Sequence, residues 1–456
     1  MGTTDMGEAK PTKAGQSDCN RQNKGLRKIY LHCAFFLFVS FMWYSSYGGC
    51  STSLMSLLKS DMPHGHIAQL DDDDHKHFPE EFPWPHHLKT EYCIEWPEIF
   101  PATSHPLDWS FNSSFSFPFS HDMLEFYSHG LWPEGSLRIE QGTQETNRVL
   151  VDVTTHLHGP RQILNHVQVC QLKREEGGHA VGIVSIQHQG GRPFGQNIYF
   201  DVNLLLPPSS GKPLQIKGLR TWAGHFRQSF GEIGKTVQFE SVDLTASGFP
   251  IAVQAESLYA KNLSIMSVVG SVEGNFTASS SLRLRAPVVN ANVVLINDEK
   301  SDQWTSLSIQ PFTPKTQTKA DISLYTTSGS DGGKFNISYT PIRPGDESVT
   351  LNTITAPPKS NMHLSVLDVR EINVSLHKTF EGRFEAASHY RTPPTIVLPK
   401  ENEEDGKARK VEFEQLGQGL AKGSVWWDSG DGDSSGKKRG LVKLANRSAG
   451  KIILKL

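Results

Sequence analysis

Three consecutive segments, SGFPIAVQAESLYAKNLSI (residues 247–265), SVVGSVEGNFTASSSLRLR (267–285) and APVVNANVVLIND (286–298), decide the fold. Each holds short apolar runs alternating in period two, the spacing at which successive side chains fall on opposite faces of a strand. Turn residues return at Gly248, Gly270 and Asn290, roughly every 20 positions. That interval fits two short strands with their turns: one rung of a β-solenoid, or one layer of a stacked sheet. A rung of this kind buries its apolar face only against its neighbours, so the region is expected to be elongated. VEGNFTA (272–278) is echoed by FEGRFEA (380–386), which carries the repeat toward the C-terminus.

The same texture extends outward. Residues 136–141, 148–157, 166–174 and 181–189 alternate in period two, and the run from Asn197 ends at Pro207-Pro208. Residues 301–314 and 328–334 are expected to be loops, and the charge run 401–410 a solvated one. KIILKL (451–456) closes the chain as a strand, and Trp426-Trp427 is expected to cap the stack. No helical pattern longer than about two turns appears, with one exception.

The exception is IYLHCAFFLFVSFMWYSSY (residues 29–47), inside a stretch with no Asp, Glu, Lys or Arg between Lys28 and Lys59. About 20 apolar residues span a bilayer as a helix. Basic residues precede it, and Trp43, Tyr44 and Tyr47 gather at its far end. Positive residues favour the cytosolic side and aromatic rings the interface, so a type II single-pass anchor with a lumenal or extracellular ectodomain is expected. Cleavage as a signal peptide near Gly48-Gly49-Cys50-Ser51 is the alternative. The expected organisation is a disordered cytosolic tail (1–28), a transmembrane helix (29–48) and an acidic, His- and Pro-rich linker (49–104). A β-rich N-terminal part (105–240) and a β-repeat domain (241–456) follow. The fold class is mostly β: an elongated β-solenoid or stacked β-repeat ectodomain behind a single N-terminal transmembrane helix.

Composition excludes some classes. A net charge of −3 over 456 residues gives no electrostatic case for nucleic-acid binding. Five cysteines are too few for a disulfide framework, but Cys93 and Cys170 fall on the oxidising side of the expected topology and are candidates to pair. Sequons stand at Asn112, Asn262, Asn275, Asn336, Asn373 and Asn446, all beyond the anchor, and are candidate glycosylation sites.

Catalytic signatures fail on context. Gly432-Asp433-Ser434-Ser435-Gly436 matches G-x-S-x-G but sits in a polar turn, not on a strand-to-helix elbow. As a calcium loop the same run has Val442 where a bidentate Glu belongs. Gly234-Lys235-Thr236 lacks the first glycine of a phosphate loop, and Gly417-Gln418-Gly419 lacks the third glycine of a dinucleotide fingerprint. His64, His66, His75, His77, His86 and His87 beside Asp71–Asp74 lie in a Pro-broken tract, so a solvated linker is expected there, not a metal site. No catalytic, cofactor-binding or metal residue is therefore expected. A polysaccharide lyase or hydrolase on a right-handed β-helix is the alternative, but Asp243, Glu256 and Glu273 stand alone in the sequence, with Glu240 and Asp243 the nearest pair.

Ser267 to Gly274, Val289 to Val294, Phe380 to Ala386 and the terminal GLVKLANRSAGKIILKL (Gly440 to Leu456) resemble the putative-adhesin β-repeat proteins, and more closely their membrane-anchored fungal versions. The usual Asn-Gly turn is replaced by Val268-Val269-Gly270 and Pro287-Val288-Val289. The resemblance implies a surface adhesion, interaction or structural role without catalysis. The expected partners are the membrane and a protein or glycan at the surface, or a second copy of the chain.

Overall fold

The structure, a computed structural model, describes residues 84–96, 108–130, 133–144, 146–185, 197–248, 250–313, 315–343, 345–389, 392–398, 408–428, 439–446 and 450–456. The expected anchor, the Asp71–Asp74 tract and Gly432–Gly436 lie outside these residues. Among the described residues no helix is long and apolar enough to cross a membrane. All of them belong to one compact unit, residues 79–456.

Strands are numbered from the N-terminus. The deciding segments form β12 (Ile251–Ser267), β13 (Ser271–Arg285) and β14 (Val288–Asn297), stacked in parallel. Like sits on like: Leu258 pairs with Phe276, Phe276 with Val293, Leu263 with Leu282. These side chains are at most 2% exposed. β12 and β13 are each long enough to turn a corner, so their first halves belong to one ladder and their second halves to another.

The first ladder runs β7 (His179–Ser185), β3 (Met123–His129), β9 (Leu214–Ala223), β11 (Val237–Ala246), then the second halves of β12 and β13. It continues through β15 (Thr305–Ile309), β17 (Lys334–Tyr339), β19 (Asn361–Leu367), β25 (Gly440–Asn446) and β21 (Gly382–Ser388). The second ladder runs β8 (Asn197–Leu206), β4 (Glu134–Gln141), β10 (Phe226–Glu232), then the first halves of β12 and β13, and β14. It continues through β16 (Gln317–Thr326), β18 (Ser348–Thr355), β20 (Glu371–Ser375), β26 (Ile452–Lys455) and β22 (Thr395–Val397). All these pairings are parallel, and from β11 to β20 the chain passes alternately between the ladders. This is a two-faced stack of rungs around one continuous apolar core.

The order of rungs departs from the order of the sequence at both ends. β25 lies between β19 and β21, and β26 between β20 and β22. Likewise β3 lies between β7 and β9, and β4 between β8 and β10. At the N-terminal end both ladders continue into antiparallel strands: β6 (Val167–Arg174) and β1 (Leu88–Cys93) beyond β7, β5 (Arg148–His158) and β2 (Asp108–Pro118) beyond β8. β24 (Leu420–Asp428) and β23 (Ala408–Gly417) extend the sheet beyond β21. The second ladder's far edge is β22, three residues long and parallel to β26; a very short edge strand is one of the ways sheets avoid edge-to-edge pairing.

Several expectations change. TSLSI of β15 is a strand inside the expected loop 301–314, and the expected boundary at 240 runs through β11. β1 lies inside the expected linker 49–104 and pairs with β6. Asn290 is an exposed strand residue, not a turn. The echoed motifs sit on opposite ladders, VEGNFTA on the second and FEGRFEA on the first, so they are not equivalent rungs. What they share is local. Gly274 (φ +125°) and Gly382 (φ +154°) each lie where a Cβ would collide with a backbone carbonyl of the neighbouring strand, Ala255 O and Gly440 O. In each motif the following Phe and Ala point inward, fully buried.

Gly211 has a positive φ (+82°) with open space around its Cβ position, whereas Gly274 has both the positive φ and the collision. Gly211→Ala should therefore cost about 1 kcal/mol, the left-handed conformational term alone. Gly274→Ala should cost about 3 kcal/mol, overpacking added to that term, in urea unfolding.

Candidate functional site

Gly234-Lys235-Thr236 closes a turn, Thr236 N–H donating to Ile233 O at 3.0 Å. Gln418 (φ +51°) and Gly419 (φ +81°) form the tight turn of the β23–β24 hairpin, whose register closes at Gly417 and Leu420. Neither is a phosphate cradle. Among the described residues no group of three or more His, Cys, Asp or Glu is placed to hold a metal.

The organised polar surface is the outward face of the second ladder. Because inward side chains there are apolar, the alternate positions point out, and parallel register stacks them into rows. One row is Gln254, Glu273, Asn290, Lys319, Thr350 and Asn373. The row beside it is Asn275, Asn292, Asp321, Asn352 and Ser375. Hydrogen bonds tie this second row together: Asn275 Nδ2 donates to Glu256 O (2.7 Å), Asn292 Nδ2 to Asn275 Oδ1 (2.8 Å), and Asn352 Nδ2 to Asp321 Oδ1 (2.8 Å). A shallow groove crosses β12, β13 and β14, walled by Gln254, Glu256, Glu273, Asn275, Asn290 and Asn292. Ala255, Gly274 and Ala291, register neighbours, lie at its base. Glu256 and Glu273, separate in the sequence, thus share one groove, and Ser271 Oγ donates to Glu273 Oε1 at 2.7 Å. Asp243 lies apart from them on the first ladder, in register with Arg220.

The first ladder presents an outward row of its own, Ser241, Asn262, Ser281, Ser306, Asn336 and His363, in which Ser281 Oγ donates to Asn262 Oδ1 (2.9 Å). Asn262 and Asn336 are exposed there, and Asn112 is exposed on β2. Asn275 belongs to the groove, and Asn373 is half-buried. Asn446 is a different case. It is 5% exposed, its Nδ2 donates to Gly450 O (2.8 Å) and its Oδ1 accepts from His389 N–H (3.1 Å). The Asn446 side chain is thus committed to the fold on both sides, unlike those of Asn112, Asn262 and Asn336.

Cys93 and Cys170 face one another across β1 and β6 and are joined by a disulfide. Beside them a second polar cluster pins the N-terminal segment. Glu125 is buried, with Arg174 Nη1 at 2.5 Å from Oε2 and His87 Nε2 at 3.2 Å from Oε1. Trp84 packs edge-on to Tyr127 (5.9 Å) over Gly182, where a Cβ would strike the indole. Burial and the Glu125 charge push the Tyr127 hydroxyl up to about 12. At the other end of the stack Glu381 accepts from Trp427 N–H and from Arg439, while the Arg409 guanidinium lies over Trp427, drawn down to about 10 by burial. Both clusters hold capping strands in place.

No protein-family model matches the chain, and no curated protein matches its sequence. Among solved structures, a "putative cell adhesion protein" from Clostridium sporogenes aligns over 76% of this chain and 99% of its own, at 10% identity and a TM-score of 0.15. A "putative lipid binding protein" from Parabacteroides distasonis aligns over 59% and 93%, at 11% identity and a TM-score of 0.23. Likenesses this loose bear on neither the fold nor the function of this chain.

Arg174→Met leaves the Glu125 carboxylate buried with only a half-exposed histidine, and should cost about 3 kcal/mol by thermal or urea unfolding. Arg174→Met with Glu125→Leu should recover most of that loss, because the stranded charge is gone.

Proposed function

We propose that this chain is a membrane-tethered, non-catalytic interaction protein, with an adhesive or structural role at a cell or endomembrane surface. The observation that supports this is the second ladder's outward face. Its rows of amide, carboxylate and hydroxyl groups repeat at the spacing of the strands, about 4.8 Å, and two steps of the second row, Asn275–Asn292 and Asp321–Asn352, are hydrogen-bonded across rungs. Such a surface suits an extended partner better than a small substrate, because its groove is shallow and its polar groups run along the stack instead of converging on one point. Residues 29–47 supply the tether in this reading, with residues 1–28 cytosolic and the β-stack lumenal or extracellular. Asn112, Asn262 and Asn336, exposed on strands, are then the sequons best placed to carry glycan.

A second reading, a glycan-active enzyme, is favoured by one observation: Glu256 and Glu273 share the groove. It differs in turnover. Paired acid and base carboxylates should release new reducing ends, and a binding face should not.

Two experiments test the proposal. Protease added to sealed membrane vesicles should spare residues 79–456, and endoglycosidase should shift their mass. Digestion from the cytosolic side of a glycan-free stack contradicts the topology. Vesicles displaying the full chain outward should adhere to cells, and Asn292→Arg with Asn352→Arg should lower adhesion at least fivefold. Ser308→Arg with Ser338→Arg, on the opposite ladder, should leave it unchanged. Equal effects of both pairs contradict the assignment of the face.

A further inference from the structure

We infer that the second-ladder face takes a neutral linear polysaccharide, laid along the stacking direction from the groove toward β18. The inference rests on the reading of this face as the binding face and names its ligand class.

Chemistry narrows the occupant. Along β12 to β16 the two rows and the groove wall beside them carry three carboxylates, Glu273, Asp321 and Glu256, against one ammonium, Lys319. A polyanion, whether nucleic acid, sulfated glycan or uronic-acid polymer, meets net repulsion there. A protein partner needs a desolvated apolar centre, and this groove is walled by amides and carboxylates. Vicinal hydroxyls of a neutral sugar, in contrast, both donate and accept, and pair with planar amides and carboxylates without leaving a charge unmatched.

Geometry gives the direction. Asn275, Asn292, Asp321 and Asn352 are consecutive in register, three strand steps or about 14 Å from first to last. The hydrogen bonds within the row fix each amide's orientation before a ligand arrives, which lowers the ordering cost of binding. A chain following the row meets equivalent groups at every rung, so affinity should grow with its length.

The row also contains a sequon, Asn275-Phe276-Thr277. Both sides of the Asn275 amide are engaged, Nδ2 by Glu256 O and Oδ1 by Asn292. A glycan of its own at that position would fill the groove. The inference therefore requires Asn275 to be unmodified while exposed sequons elsewhere carry glycan.

The test titrates the full chain with cellohexaose, mannohexaose and chitohexaose, the corresponding trisaccharides, and a hexagalacturonate as the anionic control, by calorimetry. At least one neutral hexasaccharide should bind, at least tenfold more tightly than its trisaccharide and than the hexagalacturonate. Asn292→Ala with Asn352→Ala should weaken it at least tenfold while leaving the melting temperature within a degree or two. Failure of all three neutral hexasaccharides, length-independent binding, indifference to the double variant, or an N-glycan mapped to Asn275 would each overturn the inference. If adhesion of displayed chains survives such a failure, the interaction reading stands and only the ligand class falls. Release of reducing ends instead contradicts the non-catalytic reading itself.

Discussion

The structure depends on one constraint: an inward side chain of a rung is covered mainly by the rung above and the rung below. Phe276 is buried because Leu258 and Val293 lie in register on either side of it. Parallel register is what brings them there, and Gly274 is what lets the backbones approach, since Ala255 O occupies the space of a side chain. A single rung has little to hold it. Stability accumulates along the stack, and the terminal rungs need other devices.

Those devices are visible at both ends. Antiparallel strands extend three of the four ladder ends, and the capping segments are tied by ion pairs: Glu125 with Arg174 at one end, Glu381 with Arg439 at the other. The disulfide between Cys93 and Cys170 closes 77 residues of chain around the N-terminal cap, a loop long enough to restrict the unfolded state strongly. The out-of-order rungs do similar work through topology. β25 and β26 complete the sheet between strands that precede them in sequence, so those rungs form only once residues 440–455 are in place. Contacts of such long sequence separation favour slow, cooperative assembly over sequential zipping.

Much of this was legible in the residues. Period-two alternation located most strands and with them the mostly-β class; the turn interval was a poorer guide, since Asn290 lies inside β14. The expected compartment made Cys93 and Cys170 candidates to pair, and the structure joins them. Ladder assignment was not legible, because an outward-inward pattern reads the same on either face; hence VEGNFTA and FEGRFEA look like one repeat and lie on opposite ladders. TSLSI was missed because five residues between polar loops carry too little periodicity to stand out. The candidate site was the least visible part. Asn275, Asn292, Asp321 and Asn352 are 17, 29 and 31 positions apart, and uneven loop lengths hide the fact that they are neighbours. Glu256 and Glu273 looked isolated for the same reason.

The central claim is that parallel register gathers these residues into one row. Nitroxide labels at positions 275 and 352, attached through single introduced cysteines, report it directly through dipolar broadening. The account predicts strong coupling, with backbone positions about 14 Å apart, three strand spacings. It also predicts weak coupling between positions 275 and 308, which lie on different ladders. Absence of broadening for the 275–352 pair would contradict the stacked register, and with it the row on which the functional reading is built.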